Sequence, residues 1–230
     1  TVRSPEPARF ARRLRGRTIT GIRRRGKYLL IDLDGGLTLI VHLRMTGDLE
    51  VLPASRPVHR HTRVIFAFNG RHLRFADQRR LGHMDLIATV DVPRFPGLRE
   101  MGVEPLDRGF TLRRFRGLLD GRRGSLKALL LRQDLVAGIG NIYADEILFQ
   151  ARLHPARRVE ALDAARVRRL QAAIQRVMRQ AVAGLSRYGR PIGEFLDSRR
   201  RGAPCPRCGG PVAAERIAGR RTCYCPRCQV

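Results

Sequence analysis

Asp134-Leu135-Val136-Ala137-Gly138-Ile139-Gly140-Asn141-Ile142-Tyr143-Ala144-Asp145-Glu146 is the densest motif in the chain. Two glycines lead to an asparagine that opens a helix-periodic stretch. Asn141 therefore reads as an N-cap, and the glycines as a place where backbone amides at a helix N-terminus can approach an anion. A phosphate suits such a site. A plain interhelical turn is the alternative, and glycine pairs do not separate the two.

On the C-terminal side lie Cys205-Pro-Arg-Cys208 and Cys225-Pro-Arg-Cys228, with sixteen residues between them. Each Cys-x-x-Cys bends so that two thiolates meet at one centre, and two such knuckles provide the four ligands of a closed tetrahedral zinc site. Four thiolates leave no coordination position for a catalytic water, so one structural zinc is expected. Cys223 is left over, and in a reducing setting it reads as a structural thiol.

Apolar periodicity predicts helices over 112–120, 125–131, 141–151 and 162–187, the last with Leu170, Ile174, Val177 and Ala181 on one face and ended by Gly189 and Pro191. The basic run Ser198-Arg199-Arg200-Arg201-Gly202 leads into the cysteines. On the N-terminal side the pattern from Thr18 to Leu86 is that of strands. Segments 27–33 and 37–43 flank Asp34-Gly35-Gly36, and 62–68 and 71–75 flank Asn69-Gly70, both hairpin signatures. A two-layer antiparallel sandwich follows. Pro93, Pro96, Gly97 and the stretch from Gly102 to Pro105 break this pattern. The expectation is an α+β chain with a β domain over 1–103, a helical domain over 104–196 and a zinc ribbon over 197–230.

The 230 residues are 43% apolar, enough for ordinary cores. No run approaches the ~20 apolar residues of a membrane span, and no signal peptide opens the sequence, so a soluble cytoplasmic protein is expected. Lys and Arg total 46 against 20 Asp and Glu, a formal charge of +26. Such an excess favours a polyanionic partner, because neutralising phosphates releases condensed counterions. Nucleic acid is the natural candidate; an arginine-rich genome is the bland alternative. Of the cations 44 are arginine and two, Lys27 and Lys127, are lysine, which asks why these positions need a compact ammonium.

The Asp134–Glu146 run, together with Lys27-Tyr28-Leu29, His42-Leu43-Arg44-Met45-Thr46-Gly47 and the four-cysteine ribbon, resembles the formamidopyrimidine-DNA glycosylase and endonuclease VIII family over nearly the whole chain. Gly-x-Gly-Asn-Ile-Tyr-Ala is similar to that family's helix-two-turns-helix signature. The resemblance implies base-excision repair of oxidised bases by a monomeric, nucleoid-associated bacterial enzyme. Its substrate is double-stranded DNA with an oxidised base or an abasic site, and its activity is that of a glycosylase and abasic-site lyase. A damaged nucleotide must leave the stack to be processed, and something must fill the hole. By resemblance that set is Met45, Arg79 and Leu81, the last two from the block Asp77-Gln78-Arg79-Arg80-Leu81-Gly82; core packing is the alternative for Met45 and Leu81. Leu81 stands where oxidised-guanine enzymes often carry Phe. Lys27 matches the lysine credited with proton donation in β-elimination and a phosphate contact. His42, His59, Arg123, Asn141 and Lys127 match or neighbour positions that touch the DNA backbone. Arg220 matches the hairpin arginine that reaches phosphates flanking the flipped nucleotide and assists δ-elimination, with Arg221 as the competing register.

Two departures stand out. The family's nucleophile is an N-terminal proline followed by a glutamate general acid, whereas this sequence starts at Thr1. The resemblance aligns Thr1 inside the first domain and implies a few dozen residues ahead of it in the full-length form. Between Tyr188 and Arg201 the chain is shorter than in typical oxidised-guanine enzymes, which leaves open a preference for oxidised pyrimidines or a broader range. A non-catalytic protein that binds damaged or bent duplex is the alternative function. A zinc-ribbon protein bound to RNA or ribosomes also fits the charge but leaves Met45, Arg79 and Leu81 unexplained.

Overall fold

The computed structural model describes residues 1–188 and 191–230, apart from the side chains of Ser186 and Tyr188. The chain divides into two compact units, Thr1–Glu100 and Met101–Val230.

The first unit is built on two sheets. The larger contains β1 (Val2–Ser4), β2 (Ile19–Arg25), β3 (Tyr28–Leu33), β4 (Leu37–His42) and β8 (His83–Ala88), in the order β1-β8-β4-β3-β2. The smaller holds β5 (Gly47–Pro53), β6 (Thr62–Phe68) and β7 (Arg71–Asp77), in the order β5-β7-β6. Both anticipated hairpins form. Leu33 pairs with Leu37 across a turn in which Gly35 and Gly36 have φ of 65° and 68°, and Phe68 pairs with Arg71 across Gly70 at 74°. Positive φ at successive turn residues matches the twist of the flanking strands and falls naturally to glycine. One pairing departs from the antiparallel expectation: β1 runs parallel to β8, with Val2 opposite Met84.

Between the sheets lies one apolar cluster. Ile31, Leu33, Leu39, Val41, Met84 and Leu86 from the larger sheet meet Phe75 from the smaller. Phe10 joins them from α1 (Pro7–Leu14), a helix that strand periodicity downstream gave no reason to expect. The Glu6 side chain caps α1 by accepting from Ala8 N at 2.9 Å, and Pro7 stands at its first turn, where a missing N–H costs nothing. A short helix, α2 (Pro96–Arg99), closes this unit.

The second unit wraps helices around α5 (Asn141–Gln150), in which Ala144 through Phe149 are all buried. A helix that is buried on nearly every side needs no polar face. Its neighbours are α4 (Leu126–Leu131), α6 (Ala164–Tyr188) and the strand β10 (Arg220–Tyr224), with α3 (Leu112–Leu119) packed on α6. Thr111 caps α3, its hydroxyl accepting from Arg114 N at 3.2 Å; Ser125 caps α4 in the same way from Ala128 N at 3.3 Å. The end of α6 is anticipated at Gly189, which lies outside the described residues. The ribbon is an antiparallel hairpin of β9 (Ala213–Ile217) and β10, turning through Ala218 at φ 50° and Gly219 at 70°. The far end of α5 supports it: Phe149 stacks on Phe195 at 4.5 Å, and the Arg207 guanidinium sits 4.3 Å from the Phe149 ring centre.

Candidate nucleic-acid interface and metal centre

Core packing for Met45 and Leu81 is excluded by their exposure, 71% and 45%. Met45 sits in a tight turn whose geometry is forced locally. Gly47 N donates to Leu43 O at 3.0 Å, and a Cβ at Gly47 would lie 2.3 Å from that oxygen, so only glycine closes the turn. Arg79 and Leu81 lie on the loop between β7 and β8. Arg79 Nη1 donates to Met45 Sδ at 3.4 Å, which joins the two segments.

Asp77 organises this loop, a role the sequence did not announce. Its side chain is buried, and its carboxylate accepts from Thr46 Oγ1, from Arg79 N at 3.2 Å and from Gly82 N at 2.7 Å. Burial opposes its ionisation, yet the Thr46, Gly82 and Arg79 donors outweigh that and hold its pKa below the usual carboxylate range. Thr46 and Gly82 come from the two segments that flank the exposed side chains. One buried carboxylate thus fixes the backbone on both sides of a cationic and apolar projection.

Lys27 is exposed in the turn between β2 and β3, close enough to His42 to disfavour its protonation. His42 is half-buried, stacked on His83 at 5.4 Å and edge-on to Tyr28 at 4.6 Å. Burial above all, then Arg44, His83 and Lys27, lower its pKa to about 4, so the ring is neutral near pH 7. Its Nδ1 accepts from Arg44 N at 3.0 Å, which leaves Nε2–H as the donor. A phosphate oxygen is a suitable acceptor. His59 is exposed in the loop between β5 and β6, where its Nδ1 accepts from His61 N at 3.3 Å. Buried Arg74 braces that loop from below, donating to Pro57 O at 2.9 Å and Arg56 O at 2.6 Å.

In the second unit, Gly138 takes φ 86° and its N–H donates to Gln133 Oε1 at 3.0 Å. Gly140, not Asn141, caps α5. Gly140 has extended backbone and no side-chain cap, while Asn141 is the first helical residue and turns its amide away, Nδ2 donating to Arg221 O at 2.9 Å. The first-turn amides of α5 are therefore left without a side-chain cap, as an incoming anion requires. Arg123 is exposed in the turn between α3 and α4. Lys127 departs from expectation. Its side chain has no exposed surface, and its ammonium donates to Asn141 O at 2.8 Å and to the Asp145 carboxylate. An ammonium so enclosed cannot reach a DNA phosphate, so Lys127 is a structural cation and not a backbone contact.

The sulfurs of Cys205, Cys208, Cys225 and Cys228 all lie within 4.8 Å of one another, with Cys205–Cys228 at 3.9 Å and Cys208–Cys225 at 3.5 Å. A tetrahedron with metal–sulfur bonds of ~2.3 Å places its ligands ~3.8 Å apart, so these residues fit one zinc ion. Arg207 N donates to Cys205 Sγ at 3.4 Å, as expected where a knuckle shares out thiolate charge. Cys223 is buried beside the site but outside it. Arg220 and Arg221 are both exposed directly after the hairpin turn, so the geometry retains both as phosphate-reaching candidates.

Family models match all three parts of the chain: the formamidopyrimidine-DNA glycosylase N-terminal domain at residues 1–84, its H2TH domain at 101–188, and the zinc finger found in FPG and IleRS at 202–230. The chain is similar to the formamidopyrimidine-DNA glycosylase of Moorella thermoacetica, at 46% identity over 94% of this chain and 82% of the relative. It is also similar to Lactococcus lactis Fpg solved with DNA containing an abasic site, with TM-score 0.88, 32% identity, and coverage of 96% of this chain and 86% of that one. The same enzyme solved with DNA containing an oxidised pyrimidine gives TM-score 0.87 at 32% identity, covering 96% and 85%. Three consecutive domain matches and this level of identity leave one assignment: the chain belongs to the formamidopyrimidine-DNA glycosylase family.

Proposed function

We propose that Met45, Arg79 and Leu81 form the wedge with which this chain opens damaged DNA. The family's activity is base-excision repair of oxidised bases, by glycosidic cleavage followed by β/δ-elimination at the abasic site. Its DNA partner carries an oxidised base or an abasic site. The observation that carries the wedge assignment is the exposure of two large apolar side chains beside an arginine, on segments fixed by one buried carboxylate. Extruding a nucleotide costs a few kcal/mol of lost stacking and pairing. Apolar side chains placed in the gap recover part of that by restoring contact with the neighbouring bases. Arg79 donates to the base left without a partner.

The remaining residues hold the backbone. Lys27 contacts a phosphate and supplies a proton during β-elimination. Neutral His42 donates through Nε2, and His59, Arg123, Asn141 and the uncapped amides of α5 position further phosphates. Arg220, at the tip of the ribbon, neutralises the phosphates flanking the extruded nucleotide and assists δ-elimination. One zinc, held by Cys205, Cys208, Cys225 and Cys228, maintains the hairpin that carries it. No described helix is long and apolar enough to cross a membrane. A charge of +26 supports association with the nucleoid of a bacterial cell.

The test is equilibrium binding at fixed salt to two duplexes, one intact and one with a stable abasic analogue. Met45→Ala, Arg79→Ala and Leu81→Ala together are expected to lower affinity for the abasic duplex by about 100-fold, given ~1–3 kcal/mol per stacked side chain. Affinity for intact duplex, which rests on phosphate contacts, stays within about tenfold. A triple variant that keeps its preference for the abasic duplex refutes the wedge.

A further inference from the structure

Asp145 lies one turn into α5 with its carboxylate fully enclosed, and three other segments converge on it. Oδ1 accepts from the ammonium of Lys127 on α4. Oδ2 accepts from Arg199 at 3.0 Å (Nε) and 2.6 Å (Nη2), in the segment that enters the first cysteine knuckle, and from the backbone N–H of Cys223 on β10 at 3.3 Å. Asn141, one turn earlier on the same helix, donates to Arg221 O on the same strand at 2.9 Å. Residues four apart on a helix are separated by ~6 Å along its axis, and residues two apart on a strand by ~6.7 Å with backbone groups pointing the same way. Asn141 and Asp145 therefore match Arg221 O and Cys223 N in pitch. They occupy the edge of β10 that β9 does not pair, as a third strand would.

We infer that Asp145 is a positioning residue for Arg220: it sets the register of β10 against α5, and so the place to which the hairpin delivers its arginine. Zinc holds the knuckles together, but both ties on β10 come from one face of α5, whose N-terminal amides belong to the same phosphate-binding surface. The arrangement also answers why Lys127 is a lysine in a chain with 44 arginines. Its cavity offers Asn141 O and one Asp145 oxygen, which a compact ammonium satisfies. A guanidinium would bring five N–H donors in a rigid fork and leave most of them unpaired. The inference rests on the assignment of Arg220 to the DNA phosphates.

A double-mutant cycle separates the two claims. Affinity for the abasic-analogue duplex at fixed salt is measured for the unaltered chain, Arg220→Ala, Asp145→Asn and the double variant, with zinc content determined for each. Arg220→Ala alone is expected to weaken binding by about 10- to 100-fold, the range for a charge-assisted hydrogen bond. In the Asp145→Asn background the same change costs less than about threefold, because the arginine is no longer delivered to its phosphate. An equal loss in both backgrounds overturns the positioning role while leaving Arg220 in place. No loss from Arg220→Ala in the unaltered chain overturns the Arg220 assignment itself. If Asp145→Asn sheds zinc, the cycle is repeated with Arg199→Gln, whose side chain sits at the rim of the cluster with 16% exposure. An undiminished Arg220 effect there overturns the inference equally.

Discussion

Replacing Asp77 by asparagine keeps the shape of the side chain and removes the charge on which the wedge loop is organised. The carboxylate accepts from Arg79 N, Gly82 N and Thr46 Oγ1. An amide retains one oxygen, so either Gly82 N or the Arg79–Thr46 pair meets an NH2 instead of an acceptor. One lost hydrogen bond to a charged group and weakened charge assistance at the others cost about 3 kcal/mol together. Borne by the folded unit, that is a shift in denaturation midpoint. Borne by the loop, it depopulates the wedge-competent conformation and lowers affinity for abasic-analogue duplex by up to about 100-fold. Intact-duplex affinity is largely preserved. The pH dependence supplies an internal control. Because the folded pKa of Asp77 is lowered, its stabilisation is complete above the unfolded value of about 4 and is lost as pH falls through the folded value. The stabilities of the two proteins therefore differ at pH 7 and converge in acid. Urea denaturation from pH 2 to pH 7 and anisotropy titrations on both duplexes read these effects. Equal stability at pH 7 together with unchanged preference for the abasic duplex would refute the role given to Asp77.

Gly82→Ala places a Cβ 2.6 Å from Phe75 Cζ and 3.1 Å from Leu43 O, both of which are hemmed in, so a loss of ~1–3 kcal/mol is expected in thermal denaturation. Cys225→Ser removes one of four ligands; metal analysis should show loss of stoichiometric zinc, and retained zinc with unchanged duplex affinity would contradict the site. His42 and His83 both have pKa values lowered to about 4, with burial the main cause. Their unfolded forms take up protons near pH 6.5, so stability is full above that value and declines as pH falls towards 4. Replacing both with glutamine should flatten that stretch of the profile, and an unaltered slope would show that they titrate normally.

What the sequence revealed was local. The hairpin turns at Gly35-Gly36 and Gly70 and the paired cysteines are each determined by a few consecutive residues, and each takes the conformation its chemistry requires. What it concealed depends on distant partners. Asp77 acts through Thr46, thirty-one positions away, and Asp145 through Cys223, seventy-eight away. No short motif encodes either. Asn141 looks like a cap because asparagine often is one, but β10 offered it a carbonyl and Gly140 took the capping position. Lys127 reads by resemblance as a contact to the DNA backbone, but the fold encloses it against Asp145 of α5. By residue type alone Met45 and Leu81 favour core packing, and only their exposure separates that reading from the one the resemblance implies. The resemblance carried the functional assignment, while folding supplied the two carboxylates that support it.

Covalent trapping tests the central claim most directly. The full-length protein is incubated with borohydride and a duplex carrying a single oxidised base or an abasic site, and the products are resolved under denaturing conditions. The account predicts a covalent protein–DNA adduct, from reduction of an amine–sugar intermediate, and strand scission when borohydride is omitted. Tight binding to the abasic duplex with neither adduct nor scission would contradict it and leave a DNA-binding module in place of a repair enzyme.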